Sequence, residues 1–156
     1  MHKIDCIVEP HYPIKRSILA AAANAALEAA KVKVKSALSV SIVGDRKARQ
    51  LNKQYRGIDK PTDVLAFPSL EMDKPDRFAR PPSKYLYLGD IVISYPQLLQ
   101  RAAKENTLVD DMAAFLVTHG VLHLLGYDHE KDDEATVMEK LEDQILLSLQ
   151  TIQPAK

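Results

Sequence analysis

Residues 118–130, THGVLHLLGYDHE, hold three of the five histidines of this chain. His119 and His123 are four positions apart, so on a helix they differ by only about 40° around the axis and project from one face. Gly126 follows where a left-handed glycine can end the helix, and the turn lets His129 return towards the same ion. The resulting H-x-x-x-H-x-x-G-x-x-H spacing predicts a metal-binding helix of the zincin type. Imidazole ligands favour zinc, with a single ion per chain.

One residue that such helices carry in metallopeptidases is missing here. In the pattern H-E-x-x-H the residue after the first histidine is the glutamate general base, and in this chain that position is Gly120. A peptidase mechanism therefore lacks its proton acceptor. A three-histidine site still leaves an open coordination position, which can activate water and polarise a phosphoryl or carbonyl oxygen. We interpret Gly120 as leaving room beside the ion for a bulky substrate group.

The remaining sequence predicts an α+β fold. The 156 residues are 46% hydrophobic and 27% charged, which is ordinary for a globular domain, and we expect a single domain over residues 1–156. Hydrophobic periodicity predicts about four strands in a mixed sheet and about five helices. The predicted strands are residues 3–8, 37–43, 62–68 and 85–95. The predicted helices are residues 13–30, 45–56, a short one opened by Pro96, 109–125 and 132–150; residues 69–84 are predicted to be a loop.

Composition excludes several classes of protein. The single cysteine cannot form an internal disulfide, which favours a reducing compartment. No stretch approaches the roughly 20 consecutive apolar residues of a membrane span, and the first ten residues lack the apolar run of a signal peptide. We therefore expect a cytoplasmic protein without a membrane partner. The 21 basic and 21 acidic residues balance, so net charge does not indicate a nucleic-acid partner.

The local arrangement of charge does suggest such a partner. In the helix predicted at residues 45–56, with Asp45 as N-cap and Gly57 just past its end, four cations fall within roughly an 80° arc. These are Arg46, Arg49, Lys53 and Arg56, called the α2 stripe below, and Ala48, Leu51 and Tyr55 take the opposite side. The stripe is either a solvated surface or an RNA-binding track for phosphates.

Arg56 is a candidate for a role in the reaction itself, and two carboxylates are candidates for orienting the reacting groups. A guanidinium is a poor base, but Arg56 is suited to gripping a phosphate and to neutralising charge in phosphoryl transfer; the alternative is a surface salt bridge. Asp63 and Asp90 could orient a histidine or a loop behind the metal ligands. The alternatives are that Asp63 caps a turn and that Asp90 marks a strand irregularity beside Gly89.

Three separated segments resemble the YbeY endoribonucleases, which are bacterial rRNA maturation factors. The segments are HGVLHLLGYDH (119–129), LNKQYRGIDKPTDVLAFP (51–68) and LGDIVIS (88–94). The resemblance implies zinc held by His119, His123 and His129, and a catalytic role for Arg56. It also implies a single-strand-specific endoribonuclease acting in 16S rRNA 3′-end maturation and ribosome quality control. The implied partners are single-stranded RNA, the small ribosomal subunit and an assembly GTPase.

Three functional hypotheses follow. In the first, metal-bound water attacks a phosphodiester while Arg56 stabilises the developing charge. In the second, the protein is a zinc-stabilised RNA-binding or ribosome-assembly factor with little turnover. The third, a metallopeptidase, is disfavoured by Gly120. Structural zinc sites normally have four protein ligands, so an open three-histidine site favours catalysis over the second hypothesis.

Overall fold

The computed structural model describes residues 2–69, 85–127 and 132–152. The elements in chain order are β1 (Lys3–Val8), α1 (Arg16–Ala29), β2 (Ser36–Val43), α2 (Asp45–Arg56), β3 (Val64–Pro68), β4 (Leu86–Ser94), α3 (Tyr95–Lys104), α4 (Val109–Leu124) and α5 (Asp132–Ile152). Four strands and five helices confirm the predicted α+β fold. Within these ranges no helix combines the length and the apolar character needed to cross a membrane.

The strands form a mixed sheet in the order β1-β2-β4-β3. β1 and β4 both run parallel to β2, whereas β3 runs antiparallel to β4. Because β3 is last in this order, one of its edges is not paired within the described residues. This edge faces the candidate site described below.

Alternating side chains divide the sheet into two faces. Leu38, Val40 and Ile42 of β2 belong to the main core, which α1, α4 and α5 complete. The next residue, Val43, belongs to a smaller cluster with Val92, Leu65 and Phe67 of the sheet and Ala48 and Leu51 of α2. The sheet therefore lies between α2 on one face and the three-helix layer on the other.

α4 is buried on nearly every side. Most of its residues between Met112 and Leu124 are buried, and it contacts α1, α3, α5, β3 and β4. A Cβ atom added at Gly120 would lie 2.9 Å from Cγ2 of Ile91 on β4. That separation is too short for a side chain, so Gly120 is what lets the helix approach the sheet this closely. The histidine helix is thus held by the core of the protein.

The structure corrects several sequence-based boundaries and residues. α1 begins at Arg16 and not at Pro13, because Lys15 is extended and Ile14 is already buried. The N-cap of α2 is Gly44, and Asp45 is the first helical residue. Tyr55, predicted on the apolar side of α2, is 62% exposed, although its ring contacts that of Phe67. The predicted loop falls, except for Ser69, on residues 70–84, outside the described residues.

Candidate functional site

The two histidines of α4 meet as their spacing predicts. Nε2 of His123 lies 3.0 Å from Nε2 of His119. Two nitrogens bound to one tetrahedral zinc at about 2.0–2.1 Å would lie roughly 3.3 Å apart, so these atoms can share an ion with little movement. α4 ends at Leu124, and Gly126, two residues beyond, has the predicted left-handed conformation, with a φ of +96° and an N–H that donates to the carbonyl of His123. His129, the third predicted ligand, lies outside the described residues.

A buried glutamate, which the sequence reasoning missed, contacts the first histidine. Oε2 of Glu142 lies 2.9 Å from Nδ1 of His119, and the Glu142 side chain is only 8% exposed. A carboxylate accepts the Nδ1 proton, which places the lone pair of the ring on Nε2, the nitrogen that approaches His123. Glu142 therefore selects the tautomer of His119 that a metal ligand needs.

The sequence does contain a signal for this glutamate. The buried side of α5 includes Met138, Ile145 and Leu149, at the spacing of an amphipathic helix. Glu142 falls in register with them, four residues after the first and three before the second. A charged residue in an apolar stripe is rarely buried without a partner. The pattern alone, however, does not say which partner it has.

The histidines open onto a cleft of about 450 Å³, called the reaction cleft below. Its walls are the β3 strand, His119, Gly120, His123, Thr62, Asp63 and Arg56. The cleft therefore lies between α4 and β3. Gly120 contributes to the wall, but its missing side chain is explained first by the contact with Ile91. The interpretation of Gly120 as space for a substrate group is secondary to that packing.

Arg56 reaches the reaction cleft from the last turn of α2. The helix stops at Gly57, which has a φ of +72° and a backbone N–H that donates to the carbonyl of Lys53. A left-handed residue here redirects the chain towards β3, which also lines the cleft. Arg56 is thus brought into the same cavity as His119 and His123, which are more than 60 residues away along the chain.

The rest of the α2 stripe is placed differently. Arg49 donates to Asp59 from Nε at 2.7 Å and from Nη2 at 3.2 Å, and Nζ of Lys53 lies 3.9 Å from the same carboxylate. The hydrogen bond from Arg49 lowers the pKa of Asp59, so that this carboxylate stays charged. Two of the four cations in the stripe are therefore paired with an acid of the protein itself. An RNA-binding role for Arg46, Arg49 and Lys53 remains a prediction.

Asp63 and Asp90, the predicted orienting carboxylates, occupy different places. Asp63 lines the reaction cleft, accepts a hydrogen bond from the Val64 amide at 2.7 Å and binds Nη1 of Arg101 at 2.6 Å. It therefore holds the start of β3, which fits the loop-orienting role. Asp90 accepts hydrogen bonds from Ser39 and Tyr87 on the sheet. The carboxylate that contacts His119 is the one on Glu142.

The cleft thus combines two imidazoles, an arginine and a free strand edge within an α+β fold. Histidines that can bind a metal, beside an arginine that can bind a phosphate, are typical of hydrolases that act on phosphorylated substrates. The comparison with protein families makes this class specific. The chain belongs to the YbeY family: the family described as Endoribonuclease YbeY matches residues 11–150. This finding confirms the resemblance seen in the sequence.

Individual relatives match along most of the chain. The Endoribonuclease YbeY of Dehalococcoides mccartyi is 38% identical over 148 residues, which cover 90% of this chain and 92% of that protein. That of Roseiflexus sp. is 39% identical over 150 residues, covering 94% and 92%. The solution structure of TM1509 from Thermotoga maritima has a TM-score of 0.59 at 27% identity and covers 92% of this chain and 86% of that one. Membership of this family places the chain among the nucleases, which hydrolyse phosphodiester bonds.

Proposed function

We propose that this protein is a zinc-dependent endoribonuclease that cleaves single-stranded RNA, with the 3′ end of 16S rRNA as its substrate in the cell. The observation that carries the proposal is the reaction cleft, which brings Arg56 together with His119 and His123. Membership of a family named for endoribonuclease activity supports the reaction class. The finer assignments, to 16S rRNA and to ribosome quality control, rest on the family resemblance.

The side chains present fit a zinc ion. His119 and His123 supply neutral nitrogens at a suitable separation, and Glu142 orients the first ring. Among the described residues no three His, Cys, Asp or Glu side chains are grouped to hold a cation, so we assign the third position to His129, which lies beyond them. Zinc, when bound, lowers the pKa of a coordinated water towards neutrality and polarises a phosphoryl oxygen.

The chain's own residues bind and orient the RNA. Arg56 grips a non-bridging phosphate oxygen and offsets the charge that grows on the phosphoryl group during cleavage. The free edge of β3 offers backbone amides and carbonyls, which can hydrogen-bond the bases of an unpaired strand. A duplex would already use those base edges for pairing, which is consistent with a preference for single strands.

The proposed partners follow from the same function. We assign the protein to the cytoplasm, where it would act on the small ribosomal subunit together with an assembly GTPase. A ribosome-binding factor without turnover would use the same contacts. Catalysis, however, accounts for the position of the arginine in the same cleft as the two histidines.

The test is cleavage of a short labelled single-stranded RNA, with and without a zinc chelator, by the wild type and Arg56→Ala. Arg16→Ala, an exposed arginine on α1 outside the α2 stripe, is the control of the same charge. We expect chelator-sensitive cleavage that Arg56→Ala removes and Arg16→Ala retains. RNA binding without cleavage by zinc-loaded wild type would favour the assembly-factor hypothesis, and zinc-dependent proteolysis would favour the peptidase.

A further inference from the structure

We propose that a second groove, beside α3, binds the nucleotide next to the one being cleaved; this inference rests on the proposed endoribonuclease function. The groove, called the α3 groove below, has a volume of about 540 Å³. Its main lining residues are Thr62, Asp63, Gln97, Gln100, Arg101 and Lys104. Its predicted ligand is one nucleotide of single-stranded RNA, with the phosphate on Lys104 and the base edge on Gln100.

The α3 groove is continuous with the reaction cleft. Thr62 and Asp63 line both cavities, so the two share a wall just before β3. An endonuclease cuts within a strand, and the strand must therefore continue away from the cleft on both sides of the cut. The α3 groove adjoins the reaction cleft and is polar enough to receive that continuation.

The acidic side chains of the α3 groove are paired with an arginine. Arg101 donates from Nη1 to Asp63 and from Nε to Glu105, each at 2.6 Å, and its guanidinium lies 5.1 Å from the centre of the Phe115 ring. Partial burial lowers the pKa of Arg101, but the two carboxylates outweigh burial and raise it. Both acids of the groove are thus paired with a permanent cation, which reduces their repulsion of a phosphate.

Lys104 and Gln100 are the groups left to bind a ligand. Lys104 is exposed, and in the part of the chain described here it makes no ion pair. The exposed amide of Gln100 can both donate to and accept from a base edge. Gln97, by contrast, is held by Asp45, to which its Nε2 donates at 3.2 and 3.3 Å. Gln97 is therefore a fixed part of the groove wall, whereas Gln100 and Lys104 offer hydrogen-bonding groups to a ligand.

The α2 stripe is the competing path for the strand. Because Arg49 and Lys53 are paired with Asp59, a phosphate that binds either of these two cations competes with an acid of the protein. Lys104 presents its charge without that competition. The two paths therefore make different predictions for variants on α2 and α3.

The experiment measures the affinity of metal-free protein for a labelled single-stranded RNA at several salt concentrations. Lys104→Gln should raise the Kd about twofold to fivefold, the effect of one solvent-screened ionic contact, and reduce the salt slope by about 0.7. Lys140→Gln, an exposed lysine on α5, is the matched control and should match wild type. Lys104→Glu should weaken binding further, and thermal unfolding confirms that each variant is folded.

A series of shortened RNAs identifies the nucleotide that occupies the α3 groove. The RNA is shortened one nucleotide at a time from each end, and wild type should lose affinity in a step when the nucleotide in the α3 groove is removed. That step should disappear in Lys104→Gln/Gln100→Ala. A step that persists in the double variant, or an unchanged Kd for Lys104→Gln, overturns the groove as a subsite while leaving the nuclease proposal intact.

Cleavage is measured separately on zinc-loaded protein, so that failure of the subsite and failure of the nuclease proposal are distinguishable. RNA binding that depends on Lys104, without any cleavage, would refute the nuclease and with it the assignment of the groove beside the cleaved nucleotide. Wild type that binds RNA neither with nor without zinc would overturn both proposals.

Discussion

Replacing Glu142 with glutamine should weaken zinc binding while leaving the fold in place. The buried carboxylate accepts the Nδ1 proton of His119 at 2.9 Å, and glutamine keeps the shape and an acceptor oxygen but removes the charge. A cation on Nε2 makes the Nδ1–H a stronger donor, so the negative acceptor stabilises the metal-bound state more than the free one.

The size of the effect follows from the hydrogen bond. A bond to a charged acceptor contributes about 1.5–3 kcal/mol and a neutral one about 0.5–1.5 kcal/mol. The difference of roughly 1.4 kcal/mol corresponds to about a tenfold increase in the zinc Kd. Glu142→Ala removes the acceptor altogether and should raise the Kd about 100-fold, the upper range for such orienting residues.

The assay is competition between metal-free protein and a chromophoric chelator of known zinc affinity. Glu139→Gln is the matched control, because Glu139 is an exposed glutamate on the same helix. Urea unfolding of the metal-free variants separates zinc binding from folding. A Glu142→Gln Kd within twofold of wild type, or an equal loss in Glu139→Gln, would refute the orienting role.

Three further predictions concern the ion, the arginine and the helix packing. Metal analysis should find about one zinc per wild-type chain and none tightly bound to His123→Ala, and equal contents would contradict the metal site. Arg56→Ala should lower the rate of single-turnover cleavage at saturating RNA by about 100-fold and leave the zinc content unchanged. Arg49→Gln should alter only the affinity for RNA. A wild-type cleavage rate for Arg56→Ala would limit the role of Arg56 to positioning the RNA. Gly120→Ala should lower the free energy of unfolding by about 1–3 kcal/mol, because its Cβ would lie 2.9 Å from Cγ2 of Ile91. In an Ile91→Ala background, which lacks all three contacting side-chain atoms, the same substitution should cost less in urea melts. An unchanged urea midpoint for Gly120→Ala would contradict the packing argument.

Local patterns in the sequence were sufficient to predict the helices and strands and the approach of the two histidines on α4. Hydrophobic periodicity predicted each strand and helix to within a few residues, because backbone geometry repeats every two or 3.6 residues whatever the fold. The spacing of His119 and His123 predicted that their rings would meet, since one turn of a helix separates them. Gly57 and Gly126 marked helix ends, because both adopt a positive φ that other residues avoid.

Contacts between distant segments were decided only by the tertiary structure. Glu142 is 23 residues from His119, and nothing in the spacing of either residue specifies the distance between α4 and α5. The pairing of Arg49 with Asp59 lies beyond the end of α2, so the helix pattern showed a cationic stripe but not the acid that partly neutralises it. Such contacts depend on how helices and sheet pack together, and periodicity carries no information about that packing.

The order of the strands explains the position of the site. β3 precedes β4 in the chain and pairs with it at the end of the sheet, so that, within the described residues, its other edge is unpaired, and β3 contacts α4. Arg56, which precedes β3 in the chain, therefore lines the same cleft as the histidines of α4. The sequence by itself identified Arg56, His119 and His123 as candidates for the chemistry. The packing of α4 against the edge of the sheet determined that they share one cleft.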